Sequence, residues 1–110
     1  MVKVFITYEL NDGVTREQYR EWSRTVDQPM ASKQPGVLSY EIYEIDGVGT
    51  GEPWCDVIEV IEAESWEAWQ AVNDRPEMKE AVEQFFQIAK RGSVRVVYGQ
   101  KVDPRPEGAH

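Results

Sequence analysis

The sequence predicts an α+β domain in which a four-stranded antiparallel sheet carries helices on one face. Three observations lead there: four short runs rich in β-branched and aromatic residues, stretches between them with apolar residues at helical spacing, and turn-forming residues at the junctions. A chain of 110 residues suits one domain, burying roughly two thirds of the surface of the unfolded chain. Four Trp, five Tyr and three Phe supply buriable area that a disordered acidic segment lacks.

Residues 2–8 place Val2, Val4, Ile6 and Tyr8 on one side and Phe5 and Thr7 on the other, which is a strand. Asn11-Asp12-Gly13 is turn chemistry, and Thr15 followed by Gln18 spells a capping box. At 100° per residue Tyr19, Trp22, Ser23, Val26 and Met30 share a face, so an amphipathic helix is expected to end near Pro29. After the break at Gln34-Pro35-Gly36, residues 37–45 alternate as a second strand. Glycine-rich residues 46–53 then separate it from a third strand expected at 54–61. Ser65 caps a short helix bearing Trp66, Trp69 and Val72, and Asn73-Asp74-Arg75-Pro76 opens a longer one with Met78, Ala81, Val82, Phe85, Ile88 and Ala89. Lys90, Arg91 and Gly92 read as its basic last turn and glycine stop, and residues 94–98 as a fourth strand.

The order β-α-β-β-α-α-β is the split βαβ plan of the ferredoxin-like fold, expected over residues 1–102 with 103–110 as a flexible tail. Strands one, three and four are apolar on both sides, whereas the helices cover one sheet face only. The second face needs a cover, so a homodimer stacked sheet against sheet is expected.

Twelve Lys and Arg against twenty Asp and Glu give a formal charge of −8, which opposes phosphate backbones and anionic membranes. Nucleic acid is excluded as a partner on that ground. A single cysteine, Cys55, supports no disulfide framework and points to a reducing cytoplasm. The first residues turn polar too soon for a signal peptide, and no apolar run of about 18 residues offers a membrane span. With His110 the sole histidine and no Cys-x-x-Cys, neither a metal nor an organic cofactor is expected. Gly47-Val48-Gly49-Thr50-Gly51 lacks the Lys-Ser/Thr ending of a phosphate loop and joins two strands, so it reads as a hairpin loop. No Gly-x-Ser-x-Gly elbow is present for acyl transfer.

Two stretches carry a closer likeness. Tyr19-Arg20-Glu21-Trp22-Ser23-Arg24-Thr25-Val26-Asp27-Gln28-Pro29 resembles the first-helix signature of the RedY-like, or HapK-like, family, and Trp54-Cys55-Asp56-Val57-Ile58-Glu59-Val60 resembles its third strand. The likeness extends over roughly residues 2–102 and places the chain with the dimeric α+β barrel superfamily. That superfamily includes cofactor-free monooxygenases, EthD-type proteins and polyketide cyclases. The resemblance implies a pocket between sheet and helices and an association with prodigiosin-type tripyrrole pigment pathways. At the strand-three acid position, commonly Glu in the family, this chain has Asp56.

Two acids are the candidate catalytic residues. Asp27 lies near a helix C-terminus, roughly 80° from the centre of the apolar face, where a cavity mouth would use a general base. Asp56 shares a strand face with Trp54, Ile58 and Val60, and burial there would raise its pKa and suit it to proton transfer. Glu59 faces the other way with Val57 and Ile61, where a cross-strand or intersubunit ion pair is expected. Arg24 falls on the opposite face, where solvent or a subunit contact is expected, and Cys55 reads as a small buried hydrophobe. The aromatics expected to line a ligand pocket are Tyr8, Trp22, Tyr40, Trp54, Phe85, Phe86 and Tyr98.

The resulting expectation is a homodimer that binds a small hydrophobic metabolite, aromatic, pyrrolic or polyketide-like, in a biosynthetic pathway, with any catalysis by acid/base and positioning groups. Two competitors stand beside it. One is a non-catalytic carrier or interaction module docking on a biosynthetic enzyme, and the other is a cofactor-free monooxygenase.

Overall fold

In the computed structural model, which describes residues 1–104, the chain runs β1 (Val2–Tyr8), α1 (Arg16–Trp22), a π-helical turn (Ser23–Asp27), α2 (Gln28–Ala31), β2 (Val37–Glu44), β3 (Val57–Ala63), α3 (Trp66–Asn73), α4 (Lys79–Ile88) and β4 (Arg95–Gly99). The sheet order is β2-β3-β1-β4 with every pairing antiparallel, so β1 and β2 flank β3 as a split βαβ unit requires. The ferredoxin-like architecture read from the sequence is therefore the one observed.

Local chemistry accounts for the boundaries. Thr15 Oγ1 accepts from the Gln18 amide at 3.1 Å while Gln18 Oε1 accepts from the Thr15 amide at 2.9 Å, closing the capping box that starts α1. Ser65 Oγ accepts from the Ala68 amide at 3.0 Å and starts α3. Gly36, at φ +88°, makes the turn into β2, and a Cβ there would stand 3.0 Å from the Ala68 Cβ.

Four boundaries differ from expectation. The first helix continues through the π-turn to Ala31, two residues past Pro29, which falls at the start of α2. Strand β3 begins at Val57, not at residue 54, so Trp54, Cys55 and Asp56 belong to the loop before it. Helix α4 ends at Ile88, ahead of the expected basic turn. Ala89 is extended and bridges Leu10, and the Lys90 amide donates to the Glu9 carbonyl at 2.8 Å, which ties the chain after α4 to the end of β1. Strand β4 is Arg95–Gly99, one residue later than read. The expected tail lies outside the described residues from 105 onward.

Alternation assigns the two sheet faces. Val4, Ile6 and Tyr8 with Val57 and Ile61 lie buried under the helices, joined there by Trp69, Val72, Met78 and Ala81. On the opposite face Phe5 sits in register with both Val60 and Val97, and Tyr43 opposes Ile58. No helix among the described residues covers that face, and Phe5, Tyr43 and Val97 are exposed by 37%, 49% and 62%. The prediction that the sheet is apolar on two faces with helices on one is thus met within the chain.

Candidate functional site

A cavity of about 450 Å³ opens between the helix-facing side of the sheet and helices α3 and α4. Ile6, Tyr40 and Glu59 form its floor. Trp66, Trp69, Met78, Ala81, Val82, Phe85 and Phe86 form its walls, with Val94 and Val96 at the β4 side. Two carboxyl groups reach it from the core, Asp27 from the π-turn and Glu59 from the centre of β3.

The π-turn is what brings Asp27 inward. In a regular α-helix a stripe of residues spaced by four drifts about 40° per step, or about 120° over three steps. Yet Tyr19, Ser23, Asp27 and Ala31, spaced by four throughout, are all buried. The Gln28 amide donates to the Ser23 carbonyl five residues back, and this wider loop absorbs the drift. Counting on a regular helix put Asp27 at the border of the apolar face; the structure leaves it only 7% exposed.

Glu59 corrects another expectation. It does face with Val57 and Ile61, but that is the core side of the sheet, and no cation among the described residues pairs with it; it is 3% exposed. Its partners are phenols. Tyr8 donates to Oε2 at 2.7 Å, and Oε1 lies 2.8 Å from the Tyr40 hydroxyl. Tyr19 stands 2.6 Å from the Tyr8 hydroxyl, and since Tyr8 gives its proton to Glu59, Tyr19 is the donor there.

The Tyr40 hydroxyl also lies 3.1 Å from Asp27 Oδ2, so it bridges the two acids. A phenol has one proton and cannot donate to both carboxylates at once. Geometry therefore calls for a proton on one of them, and burial selects Glu59. Burial, with the neighbouring Asp27 charge adding to it, pushes the Glu59 carboxyl up to about 8. Burial also pushes Asp27 up to about 6, opposed by the Tyr40 hydrogen bond. The two acids and Tyr40 thus share a proton as one unit, with the more deeply buried Glu59 its favoured holder and Asp27 the favoured anion. Burial, with Glu59 and Tyr19 beside Tyr8 and with Glu59 and Asp27 beside Tyr40, raises both phenols, which keeps them neutral donors. Such a chain can hold a proton at Glu59 and accept one at Asp27.

The other expected site residues divide by place. Tyr40, Phe85 and Phe86 line the cavity. Tyr8 lies beneath it as a member of the phenol network and packs edge-on to Phe85 with ring centroids 4.9 Å apart. Trp22 is one layer out, its Nε1 donating to Gln84 Oε1 at 2.8 Å. Tyr98 stacks on Trp66 at 4.0 Å, outside the cavity lining. Trp54 is 55% exposed in the loop before β3 and is not among the lining residues.

Asp56 is also away from the cavity. Its Oδ2 accepts from the Leu10 amide at 2.8 Å and its Oδ1 faces Arg16 at 4.0 Å, which tie the loop to the start of the first helix. Sequence reasoning missed Glu59 and Tyr19 as network members and Trp66 and Trp69 as walls. For Glu59 the signal was present, since an acid between Val57 and Ile61 in an apolar strand shares their buried side. Among the described residues no cluster of three or more His, Cys, Asp or Glu is placed to hold a metal ion.

The sequence profile of the REDY-like protein HapK matches residues 2–102. The crystal structure of HapK from Hahella chejuensis superposes with a TM-score of 0.77 at 16% identity, covering 98% of this chain and 99% of that one. An EthD family protein from Bacillus halodurans gives 0.71 at 20% identity over 93% of this chain and 99% of that one. A dimeric ferredoxin-like protein of unknown function from Thermobifida fusca gives 0.69 at 16% identity over 89% and 88%. Among curated protein sequences none matches significantly. At these identities the structures establish the fold alone, while the profile spans nearly the whole chain: the protein belongs to the REDY-like HapK family.

Proposed function

We propose that this protein is a homodimer that binds a small planar metabolite, aromatic, pyrrolic or polyketide-like, in the cavity of each subunit and acts on it by proton transfer in a secondary-metabolic pathway. The observation that carries the reading is the buried pair Asp27 and Glu59, bridged by Tyr40 on the floor of an otherwise apolar cavity. Aromatic walls fit a flat ligand, and burial tunes the two acids toward opposite proton states near neutral pH. In this mechanism the ligand lies between α3 and α4, and Asp27 takes a proton from it as general base. Glu59, through Tyr40, supplies the proton to a second position or restores the first. Asp56 serves the scaffold.

The dimer supports the same reading. An apolar sheet face bearing Phe5, Tyr43, Ile58, Val60 and Val97 is too large to leave in water, and a second copy supplies a matching surface. The Thermobifida fusca protein with this fold is described as dimeric.

A thermal-shift screen of pyrroles, quinones, phenols and acyl compounds tests the binding step, because a ligand of the native state raises its apparent stability. A shift above about 3 °C identifies the class. With that compound at saturation, Asp27→Asn lowers kcat by about 100-fold or more, the contribution of a general base. Quantitative recovery of the compound unchanged from the native protein would refute catalysis and leave a carrier.

A further inference from the structure

We propose that the ligand of this cavity is an aromatic base bound as its cation, with the charged nitrogen on Asp27 Oδ1 and the rings between α3 and α4. This deepens, and rests on, the small-molecule reading above.

The lining carries three carboxyl groups, Asp27, Glu59 and Asp74, with the Tyr40 hydroxyl and the amides of Gln70 and Asn73; it holds no Lys, Arg or His among the described residues. Asp27 is the exceptional member. Tyr40 serves its Oδ2 at 3.1 Å, whereas among the described residues Oδ1 accepts no hydrogen bond, although the side chain is only 7% exposed and borders the cavity. No fully buried side-chain nitrogen or oxygen among the described residues lacks a partner, so Oδ1 is open to the cavity, and a group that brings both a donor and a countercharge completes this carboxylate best. Water or a neutral N–H supplies the donor alone. The cations nearby are engaged elsewhere: Arg16 and Arg20 on Glu44, Arg75 on Gln34 and the Pro35 carbonyl, and Arg91 over the Phe86 ring at 4.7 Å.

An inorganic cation does not fit, since the described residues offer no cluster of three ligating groups and the walls are apolar. An organic cation does. Trp66, Trp69 and Phe85 line the cavity with aromatic surface that takes a flat apolar body and favours positive charge beside it. An anionic ligand would bring a further like charge into the cavity and is rejected.

Isosteric probes of different charge decide this. Isothermal titration calorimetry on the native protein at pH 7.5 compares 2-(2-naphthyl)ethylamine, 2-propylnaphthalene and 2-naphthylacetic acid. The amine is expected to bind at least tenfold tighter than the hydrocarbon, and the acid to give no measurable binding. In folded Asp27→Asn the amine loses that advantage, falling to within about threefold of the hydrocarbon, whose own affinity is unchanged. Should Asn at position 27 prevent folding, the comparison on the native protein still decides. The acid or the hydrocarbon binding as tightly as the amine overturns this inference alone, as does an amine preference that survives the substitution. Binding of none of the three overturns the inference together with the small-molecule reading beneath it.

Discussion

Glu59→Gln tests the buried acid pair through stability. The substitution keeps the shape of the side chain and its bonds to Tyr8 and Tyr40, since an amide accepts through oxygen and donates through nitrogen. It removes only the titration. In the unfolded chain Glu59 titrates near 4.5, and in the fold burial and the Asp27 charge raise it to about 8. The folded protein therefore holds a proton that the unfolded chain has released, and stability falls as pH rises through that interval. At about 1.4 kcal/mol per pH unit, Glu59 alone lowers wild-type stability by up to about 4 kcal/mol between pH 5 and 8. Asp27, also raised by burial, titrates together with Glu59 and acts in the same direction within that figure. The carboxylate held low by Arg20, Glu44, has the opposite sign, but its contribution is lost only as pH falls below this window. Urea unfolding followed by circular dichroism from pH 5 to 9, at one protein concentration, reads the slope. Wild type should weaken steadily to about pH 8, while the variant levels off above about pH 6 and exceeds wild type at pH 8.5. A wild-type stability that rises from pH 6 to 8, or a variant with the wild-type slope, would show that Glu59 is not the buried proton store.

Tyr40→Phe deletes the bridge between the acids and leaves Asp27 without its donor, so unfolding free energy should drop by about 1–3 kcal/mol. Because that hydrogen bond lowers the Asp27 pKa, carboxyl carbon NMR should also place Asp27 above about 6 in the variant; an unmoved titration would refute the contact. Val97→Asp puts a charge on the open sheet face opposite Phe5. Light scattering at micromolar concentration should then report a monomer with native circular dichroism, and a dimer that persists would locate the interface elsewhere.

Element order was legible because each element announces itself locally. Thr15 with Gln18, Ser65 before Trp66, and the alternation of residues 2–8 need no tertiary information, and the structure retains all three. The walls of the cavity were half legible. Phe85 falls on the apolar stripe of α4 that the sequence displays, whereas Trp54, equally aromatic, sits in a loop because the third strand begins three residues later than its β-formers suggest. The acids were the hard part. Asp27 is buried by a π-turn, a change of helical phase that no regular periodicity encodes, and Asp56 is drawn to the Leu10 amide and Arg16 by neighbours 46 and 40 positions away. The burial of Glu59 was written in its alternation with Val57 and Ile61, but an acid in that stripe conflicts with the rule that stripes are apolar, and such conflicts concentrate at functional sites.

The three phenols explain how the fold tolerates that conflict. Two carboxyl groups in one core, with no Lys, Arg or His of the described residues lining the cavity beside them, would repel and desolvate if both were ionised. Tyr8, Tyr19 and Tyr40 instead supply neutral donors from β1, α1 and β2, so that one acid keeps its proton and the other its charge. Arginines in their place would have neutralised both acids, lowered both pKa values and left no group able to exchange a proton near neutral pH. Phenols satisfy the hydrogen bonds while preserving the perturbation. The fold thus gives up stability at the pH where the pair would work, which is a pattern expected of a site that handles protons and not of a core built only to hold the sheet and helices together.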